Sequence, residues 1–340
     1  MLKLKKVSTL LSIVMILSLL CAVQASASFT FYNPRDTVNQ RPDPFVYKHT
    51  DGYYYGVCTA QDSTGYLPKI VMWKSTSLVN LYTSGTSKTI WTAPSSGWNS
   101  SNIWAPELHR INNTWYIYYS GGYRVGVLSN TSADPTTGTW TDNGRVSPDE
   151  WAIDGTVFTQ NGNRYMIWSH YNSSSGQVLK ISRMSSPTAL TGTPVQISAP
   201  TYSWETQGAK VNEGPQILQN GGKTYCIYSA SYCSTQYYCL GQLSISSTAD
   251  PMVASNWTKK STAVFSRSTS QGIYGTGHAC FTKSRDGAED WLVYHATIVP
   301  SSSYQPRYVC MQKFTFNSDG SPNFGTPAGR TSPLTSPSGE

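Results

Sequence analysis

The sequence predicts an all-β protein folded as a five-bladed β-propeller. One unit recurs five times along the chain: a short apolar strand, a turn of Asn, Asp or Gly, and a strand rich in aromatic residues. The units return about every 60 residues, which is typical of the four-stranded blades of a propeller. No stretch keeps a helical period over three turns.

The N-terminal stretch predicts export. Lysines precede an apolar run from about Thr9 to Val23, and a small-x-small cleavage signal follows at residues 25–27. The run is too short and wrongly flanked for a membrane anchor. We therefore expect residues 1–27 to be a secretory signal peptide and the protein to be secreted.

The composition favours an uncharged, hydroxylated ligand. Charged residues make up 13% of the chain, against roughly 25% in ordinary soluble proteins, and no cluster of Lys and Arg follows the leader. Nucleic acid and anionic membranes are therefore excluded as partners. Aromatic residues also reach 13%. Most of them are expected in cross-strand pairs, but exposed Tyr and Trp rings stack well on sugars.

Each of the five units is a hairpin signal. The units read DPFVYKHTDGYYYGVCTA, APELHRINNTWYIYYSG, DGTVFTQNGNRYMIWSH, EGPQILQNGGKTYCIYSA and HACFTKSRDGAEDWLVYHA. A further pair of strands follows most of these units. Each unit together with the strand pair that follows it therefore makes one four-stranded blade. Five such blades occupy nearly all of residues 29–316, which we expect to be one catalytic domain. Residues 317–340, rich in Ser, Thr, Pro and Gly, predict a closing strand fragment and a linker, after which a further carbohydrate-binding or docking module is expected.

The six cysteines after the leader predict disulfides, because the protein is expected to be exported and no Cys-x-x-Cys metal spacing occurs. They are Cys58, Cys226, Cys233, Cys239, Cys280 and Cys310. Cys233 and Cys239 lie near enough in sequence to close one loop, but six cysteines allow 15 pairings. The sequence does not choose among them.

Acidic residues open several of the apolar strands. When the units are aligned on their aromatic strands, Asp43, Asp154, Glu213 and His278 fall at one register, and Ala105 takes that place in the second unit. The innermost strands of a propeller converge on its axis. We therefore expect three carboxylates and an imidazole to face one another at one mouth of the channel.

Two prolines restrict the backbone of Asp43. Pro42 has a fixed φ, and the residue before a proline has few allowed conformations, so Asp43 between Pro42 and Pro44 is held before a substrate arrives. Asp-Pro alone is usually a turn signal. The recurrence of acids at one register favours a catalytic site, since glycosides are hydrolysed by two carboxyl groups that flank the scissile bond. A third carboxylate can keep the acid protonated near neutral pH.

Five short motifs resemble, in order and spacing, those of glycoside hydrolase family 43, the five-bladed propeller arabinofuranosidases, xylosidases and arabinanases. The motifs are RPDPFVYK, IWAPELH, IDGTVF, NEGPQIL and GTGHACF, and the likeness spans roughly residues 29–316. The resemblance implies that Asp43 is the general base, that Glu213 is the general acid and that Asp154 raises the pKa of the acid. It also implies inversion of configuration, with a water between base and acid.

The same resemblance implies three further contacts. Arg307 matches an arginine that binds the non-reducing sugar, and His278 matches a channel histidine that faces Ca²⁺ or another cation, which the chemistry itself does not require. Trp104, beside the acids, is expected to be a sugar-stacking wall, whereas Glu107 is not assigned to catalysis.

The pattern looks most like the exo-acting α-L-arabinofuranosidases. These release L-arabinofuranose from arabinan, arabino-oligosaccharides or arabinoxylan of plant cell walls. Endo-1,5-α-L-arabinanase and β-xylosidase of the same family remain as alternatives, and a non-catalytic carbohydrate-binding propeller is a remote one. A retaining, invertase-like propeller is disfavoured, because Pro42 precedes Asp43 and Gly214 follows Glu213.

Overall fold

The computed structural model describes residues 28–147, 151–301, 303 and 306–340. The predicted signal peptide, residues 1–27, lies outside the described residues. The described part is almost entirely β and forms five four-stranded antiparallel sheets. The predicted five-bladed β-propeller is confirmed.

Each blade follows the chain from its inner to its outer strand. Blade 1 consists of β2, β3, β6 and β7, and the blades that follow take four consecutive strands each, from β8 to β23. The first strands are β1 (Thr30–Phe31), β2 (Phe45–Lys48), β3 (Tyr54–Val57), β4 (Gln61–Asp62), β5 (Gly65–Tyr66), β6 (Lys69–Ser75) and β7 (Thr86–Thr92). Blades 2 and 3 contain β8 (Trp104–Ile111), β9 (Thr114–Gly121), β10 (Arg124–Asn130), β11 (Thr141–Arg145), β12 (Ala152–Gln160), β13 (Asn163–Asn172), β14 (Gly176–Ser186) and β15 (Ala189–Ser198). Blades 4 and 5 and the closing strand are β16 (Asn212–Asn220), β17 (Lys223–Ala230), β18 (Cys239–Ser246), β19 (Thr258–Lys259), β20 (Tyr274–Lys283), β21 (Asp290–Thr297), β22 (Tyr308–Phe316), β23 (Pro322–Asn323) and β24 (Leu334–Thr335).

All five predicted hairpins form, and three of them turn through two residues with positive φ. These pairs are Asn112 and Asn113, Asn161 and Gly162, and Gly221 and Gly222. Asn and Gly accept this backbone most readily, and such turns match the twist of paired strands. Short 3₁₀ helices occur at Ser203–Glu205 and Ala254–Asn256.

The innermost strands of neighbouring blades, β2, β8, β12, β16 and β20, contact one another in a closed ring. Aromatic residues of the second strands fill the cores, as Trp115, Trp168 and Trp291 are fully buried. Burying a large apolar side chain contributes roughly 1.5–3 kcal/mol. The aromatic strands thus stabilise the blades, and the ring brings the N-terminal ends of the first strands to one mouth.

The C-terminal residues that were expected to be a linker pack against the propeller instead. Strand β23 is the outer strand of blade 5, and β24 pairs with β1. Phe324 is buried, and the Glu340 side chain accepts the backbone N–H of Leu78 at 2.5 Å. The Ser- and Pro-rich composition obscured a few residues, such as Phe324 and Leu334, that bind this segment to the first and last blades.

The predicted disulfides do not form among the described residues, where all six cysteines are free. Cys58 and Cys280 lie in one core, whereas Cys226 and Cys239 lie in another. Five of the six are buried and pack as small apolar side chains. Cys233 is partly exposed in the loop before β18 and is not bonded to Cys239.

No helix in the described ranges is long and apolar enough to cross a membrane.

Candidate active site

Each blade carries a left-handed residue at an equivalent position near the start of its innermost strand. These residues and their φ values are Asp43 (59°), Ala105 (45°), Asp154 (57°), Gly214 (51°) and His278 (47°). In the four blades from β8 onwards, the strand has an irregular register at this point. Residues other than Gly rarely adopt such a backbone, and when they do they cluster at functional sites.

Glu213 lies one residue away from the position that the sequence alignment predicted, which was the position equivalent to Asp43. Glu213 pairs with Ser229 as Trp104 pairs with Ser120, so Glu213 is the structural equivalent of Trp104. Gly214 therefore takes the place that Asp43 holds in blade 1. A Cβ on Gly214 would lie 3.0 Å from Nδ1 of His278. The β-bulges explain this one-residue offset. A bulge inserts an extra residue into the innermost strand, so the number of residues between the start of that strand and the aromatic strand differs from blade to blade.

Polar residues at the end of the second strand hold four of these five left-handed residues in the next blade. The backbone N–H of each of the four donates to such a group: Ala105 to Thr59 Oγ1 (2.8 Å), Asp154 to Ser120 Oγ (3.0 Å), His278 to Ser229 Oγ (2.7 Å) and Asp43 to His295 Nδ1 (3.1 Å). These partners were not predicted. Their signal was present, since a Thr, Ser or His follows the aromatic run in every unit.

All six predicted site residues line one pocket of about 410 Å³ at the mouth of the ring. They are Asp43, Trp104, Asp154, Glu213, His278 and Arg307. The expected gathering of the three acids is therefore observed.

Asp43 is held as a carboxylate by several donors. Arg307 Nη1 lies 3.1 Å from Oδ1, and Thr59 Oγ1 donates to Oδ2 at 2.6 Å. His278 Nδ1 lies 3.4 Å from Oδ1. Burial raises the pKa of Asp43, but the positive charges of Arg307 and His278 outweigh it and hold the pKa well below its usual range.

His295 supports the backbone of Asp43 as a neutral ring. Burial lowers the pKa of His295 to about 4, so near neutral pH Nδ1 has a free lone pair for the Asp43 N–H. The ring stacks on Tyr238 with centroids 5.4 Å apart and planes 7° apart. It also stacks on His278 at 6.1 Å.

Glu213 has a different environment. Tyr238 OH donates to Oε1 at 2.9 Å and Gln177 Nε2 to Oε2 at 2.8 Å. Burial raises the pKa of Glu213, and the Asp43 charge adds to this, against the opposing effect of the two donors and of His278. Glu213 is therefore the carboxyl group that can carry a proton.

Asp154 lies beside this acid. Its Oδ2 accepts the backbone N–H of Gly214 at 3.0 Å and lies 4.0 Å from His278 Nδ1. Burial raises the pKa of Asp154 to about 7, with the Glu213 and Asp43 charges adding to it and His278 opposing it. Asp154 and Glu213 thus form a coupled pair that resists full ionisation.

A hairpin covers the Asp43 end of the pocket. It consists of β4 and β5, and Tyr66 on β5 accepts a hydrogen bond from Arg307 Nη2 at 2.8 Å. The Tyr66 ring contacts Trp104 with centroids 5.8 Å apart. Arg307 thus joins the carboxylate of Asp43 to this hairpin.

The described residues supply no cage for the predicted cation. No three His, Cys, Asp or Glu side chains among them are arranged to hold a metal ion. Nδ1 of His278 faces Asp43 and Asp154, which a protonated imidazole satisfies, and the pKa of His278 is raised by these carboxylates despite burial.

Several known proteins are similar to this chain over most of its length. An extracellular exo-α-(1→5)-L-arabinofuranosidase of Streptomyces avermitilis is 42% identical over 89% of this chain and 65% of its own length, so this chain spans less than two thirds of that relative. A protein of the same name from Streptomyces chartreusis is 38% identical over 76% of this chain and 80% of its own length. The crystal structure of an α-L-arabinofuranosidase from Lactobacillus brevis superimposes with a TM-score of 0.82 and 32% identity, covering 88% of this chain and 97% of the other. Residues 35–322 match glycosyl hydrolases family 43, and the chain belongs to that family.

Proposed function

We propose that this protein is an inverting exo-α-1,5-L-arabinofuranosidase. The observation that carries the proposal is the pair of acids in one pocket whose pKa values are displaced in opposite directions. The pKa of Asp43 is lowered, chiefly by Arg307 acting against burial, and the pKa of Glu213 is raised, chiefly by burial. Such a pair supplies a base and an acid at the same pH.

The reaction follows from these charges. Asp43 accepts a proton from a water molecule, whose oxygen attacks the anomeric carbon of the bound sugar. The bond from that carbon to the leaving oxygen breaks, and Glu213 gives its proton to this oxygen. Burial and the negative charge of Asp43 keep Glu213 protonated, and Asp154 is proposed to add to this by like-charge repulsion, while the Arg307 guanidinium keeps Asp43 ionised. Attack from the face opposite the leaving group inverts the configuration.

Two observations support an exo-acting enzyme on arabinose polymers. The β4–β5 hairpin lies beside the base, where Tyr66 lines the pocket and accepts a hydrogen bond from Arg307. A hairpin at this place is expected to obstruct a glycan chain that continues past the base, which favours binding of a terminal sugar. The relatives from both Streptomyces species are named for exo action on α-(1→5)-linked arabinofuranose.

The test is product analysis with the purified protein. We expect an aryl α-L-arabinofuranoside to be cleaved, linear arabinan to yield free arabinose, and NMR to show β-arabinose as the first anomer. Mixed oligomers from arabinan would favour the endo-arabinanase, and xylose from xylo-oligosaccharides would favour the β-xylosidase. Arabinose of retained configuration would contradict the mechanism.

Acid and base variants separate an enzyme from a sugar-binding propeller. Glu213→Gln and Asp43→Asn should each lower kcat by about 10²–10⁴-fold. Asp250→Asn is a matched control, because Asp250 also precedes a proline but is exposed and accepts the N–H of Met252 in a turn. Equal turnover by all three variants would reject the assignment.

The proposal also includes secretion of the protein and a substrate from plant cell walls. The leader-like residues 1–27 support secretion and action on arabinan or arabinoxylan fragments of plant cell walls. N-terminal sequencing of protein from the culture medium should find a start near residue 28. A further carbohydrate-binding module and a Ca²⁺ ion near His278 stay predictions.

A further inference from the structure

Four aromatic side chains run in contact from the pocket onto the outer surface of blades 2 and 3. They are Trp104, Tyr123, Trp151 and Tyr171, and we call them the aromatic ridge. Successive ring centroids are 5.5, 5.7 and 5.9 Å apart. Trp104 and Trp151 line the pocket, whereas Tyr123 is 39% and Tyr171 52% exposed. The rings thus begin at the acids and continue beyond them.

The ridge is carried in part by a tight hairpin turn, in which Gly122 and Tyr123 join β9 to β10 next to the Gly121–Arg124 pair. Tyr123 has φ 61°, which is an outlier for a bulky residue. Gly122 before it has φ 51°, and a Cβ there would overlap the carbonyl oxygen of Trp98. Arg124 Nη1 donates to the carbonyl oxygen of Tyr123 at 2.8 Å. The turn thus fixes where the Tyr123 ring lies, between those of Trp104 and Trp151.

Trp151 is also held in place. His170 Nδ1 contacts the carbonyl oxygen of Trp151 at 2.8 Å. The Tyr123 and Trp151 rings are stacked, with planes 24° apart. Two parallel, partly exposed rings from different blades present a continuous apolar face rather than two separate side chains.

The outer end of the ridge lies on the side of the acid. Tyr171 on β13 and Gln177 on β14 are direct register partners, so their side chains project from the same face of the sheet. Gln177 donates to Oε2 of Glu213 at 2.8 Å. Because the acid protonates the leaving oxygen, the sugar residues on the leaving-group side must start next to Glu213.

We propose that the aromatic ridge binds the chain of sugars on the leaving-group side of the scissile bond. This inference rests on the proposed function and adds a direction to it. The occupant is an uncharged, furanose-rich glycan whose C–H faces stack on the rings. The chain leaves the pocket across blades 2 and 3, not across the loop of blade 4 that contains Tyr232, which also lines the pocket and is 46% exposed.

The first experiment measures chain-length preference, defined as kcat/KM for an arabino-oligosaccharide divided by kcat/KM for an aryl arabinofuranoside. In the wild type this ratio should rise with oligosaccharide length. Tyr171→Ala should lower this ratio for the longest oligosaccharide by about tenfold. Tyr171→Phe keeps the ring and should retain the wild-type ratio. Tyr32→Ala removes an equally exposed ring, 45%, far along the chain from the ridge, and should keep the wild-type ratio.

The second experiment measures binding without turnover. In a Glu213→Gln background, calorimetry with arabino-oligosaccharides should show about tenfold weaker binding when Tyr171→Ala is added. A Tyr171→Ala ratio and affinity equal to those of Tyr32→Ala would overturn the inference. The inference would also be overturned if Tyr232→Ala, and not Tyr171→Ala, lowered the ratio and the affinity. If the wild type cleaves no arabinofuranoside, the proposed function fails instead, and binding of arabinan, xylan and galactan to the same variants still tests the ridge.

Discussion

The backbone N–H of Gly214 donates to the Asp154 carboxylate, with 3.0 Å between nitrogen and Oδ2. This bond places the Asp154 charge directly beside the peptide unit of Glu213. The left-handed backbone of Gly214 allows the approach, and a side chain there would press on His278. Asp154 and Glu213 therefore share one buried environment in which both pKa values are raised.

The Asp154→Asn variant should shift the pH profile of kcat. The amide can still accept the Gly214 N–H but carries no charge, so the pKa of Glu213 should fall. The basic limb of the profile, where the acid loses its proton, should move to lower pH, and kcat at pH 7 should fall about tenfold or more. A pH–rate series on an aryl arabinofuranoside checks this.

The same variant should be more stable than the wild type at high pH. A carboxyl group whose folded pKa lies above its unfolded value makes the folded state bind more protons, so stability is lost as pH rises through the folded pKa of about 7. Melting temperatures of Asp154→Asn and wild type should agree near pH 4 and separate by pH 8. A basic limb and a melting curve that do not move would contradict the coupling.

Thr59→Val should weaken the base without emptying the pocket. Thr59 Oγ1 donates to Asp43 and accepts from the Ala105 N–H, and valine keeps the shape but loses both bonds. We expect kcat to fall about tenfold or more with little change in KM, since orientation and not sugar binding is lost. Stability should fall by about 1–3 kcal/mol because the Ala105 N–H becomes unsatisfied.

Thr59→Ser is the control for this prediction. Serine keeps the hydroxyl group and should retain most of kcat. Steady-state kinetics and urea unfolding of both variants provide the measurement. If valine raises KM and leaves kcat intact, Thr59 acts on substrate binding instead of on Asp43.

Lys259→Met should destabilise the blade that carries the acid. Lys259 Nζ lies 2.5 Å from Glu205 Oε1, and Glu205 is fully buried. Asn212, next to Glu213, also donates to this oxygen at 2.9 Å. Removal of one partner of a buried ion pair costs about 3–5 kcal/mol, which chemical unfolding measures.

Lys313→Met is the matched control, because Lys313 and Glu289 form an exposed pair at 2.8 Å. It should change stability by at most about 1 kcal/mol. Equal losses from both lysine variants would mean that the burial of Glu205 does not matter.

Glu340→Ala should weaken the packing of the C-terminal segment against blade 1. The carboxylate accepts the backbone N–H of Leu78 and the hydroxyl of Ser77, as a capping side chain does. Its loss should lower the free energy of unfolding by about 0.5–2 kcal/mol and leave kcat unchanged. Glu340→Gln keeps an acceptor oxygen and should lower the free energy of unfolding by less. An equal decrease in both variants would show that the acceptor oxygen does not account for the stabilisation.

Local patterns in the sequence were enough to predict the blades and the three acids. Hairpin turns and alternating strands are encoded over a few residues, so every predicted hairpin is present. Other features depend on residues that are distant in the chain. Nothing near Asp43 indicates that its N–H is held by His295, and the one-residue offset of Glu213 depends on a bulge that periodicity does not reveal.

The sequence by itself determined the repeat, the direction of each strand and the acids that open them, because these follow from turn chemistry and short-range periodicity. Only the tertiary structure decided which acid is ionised, since closing the ring sets Arg307 against Asp43 and buries Glu213 with Asp154. It also decided that the six cysteines stay free and that the C-terminal segment packs on blades 1 and 5. Electrostatic and packing energies depend on distances between side chains, and those distances exist only once the chain has folded.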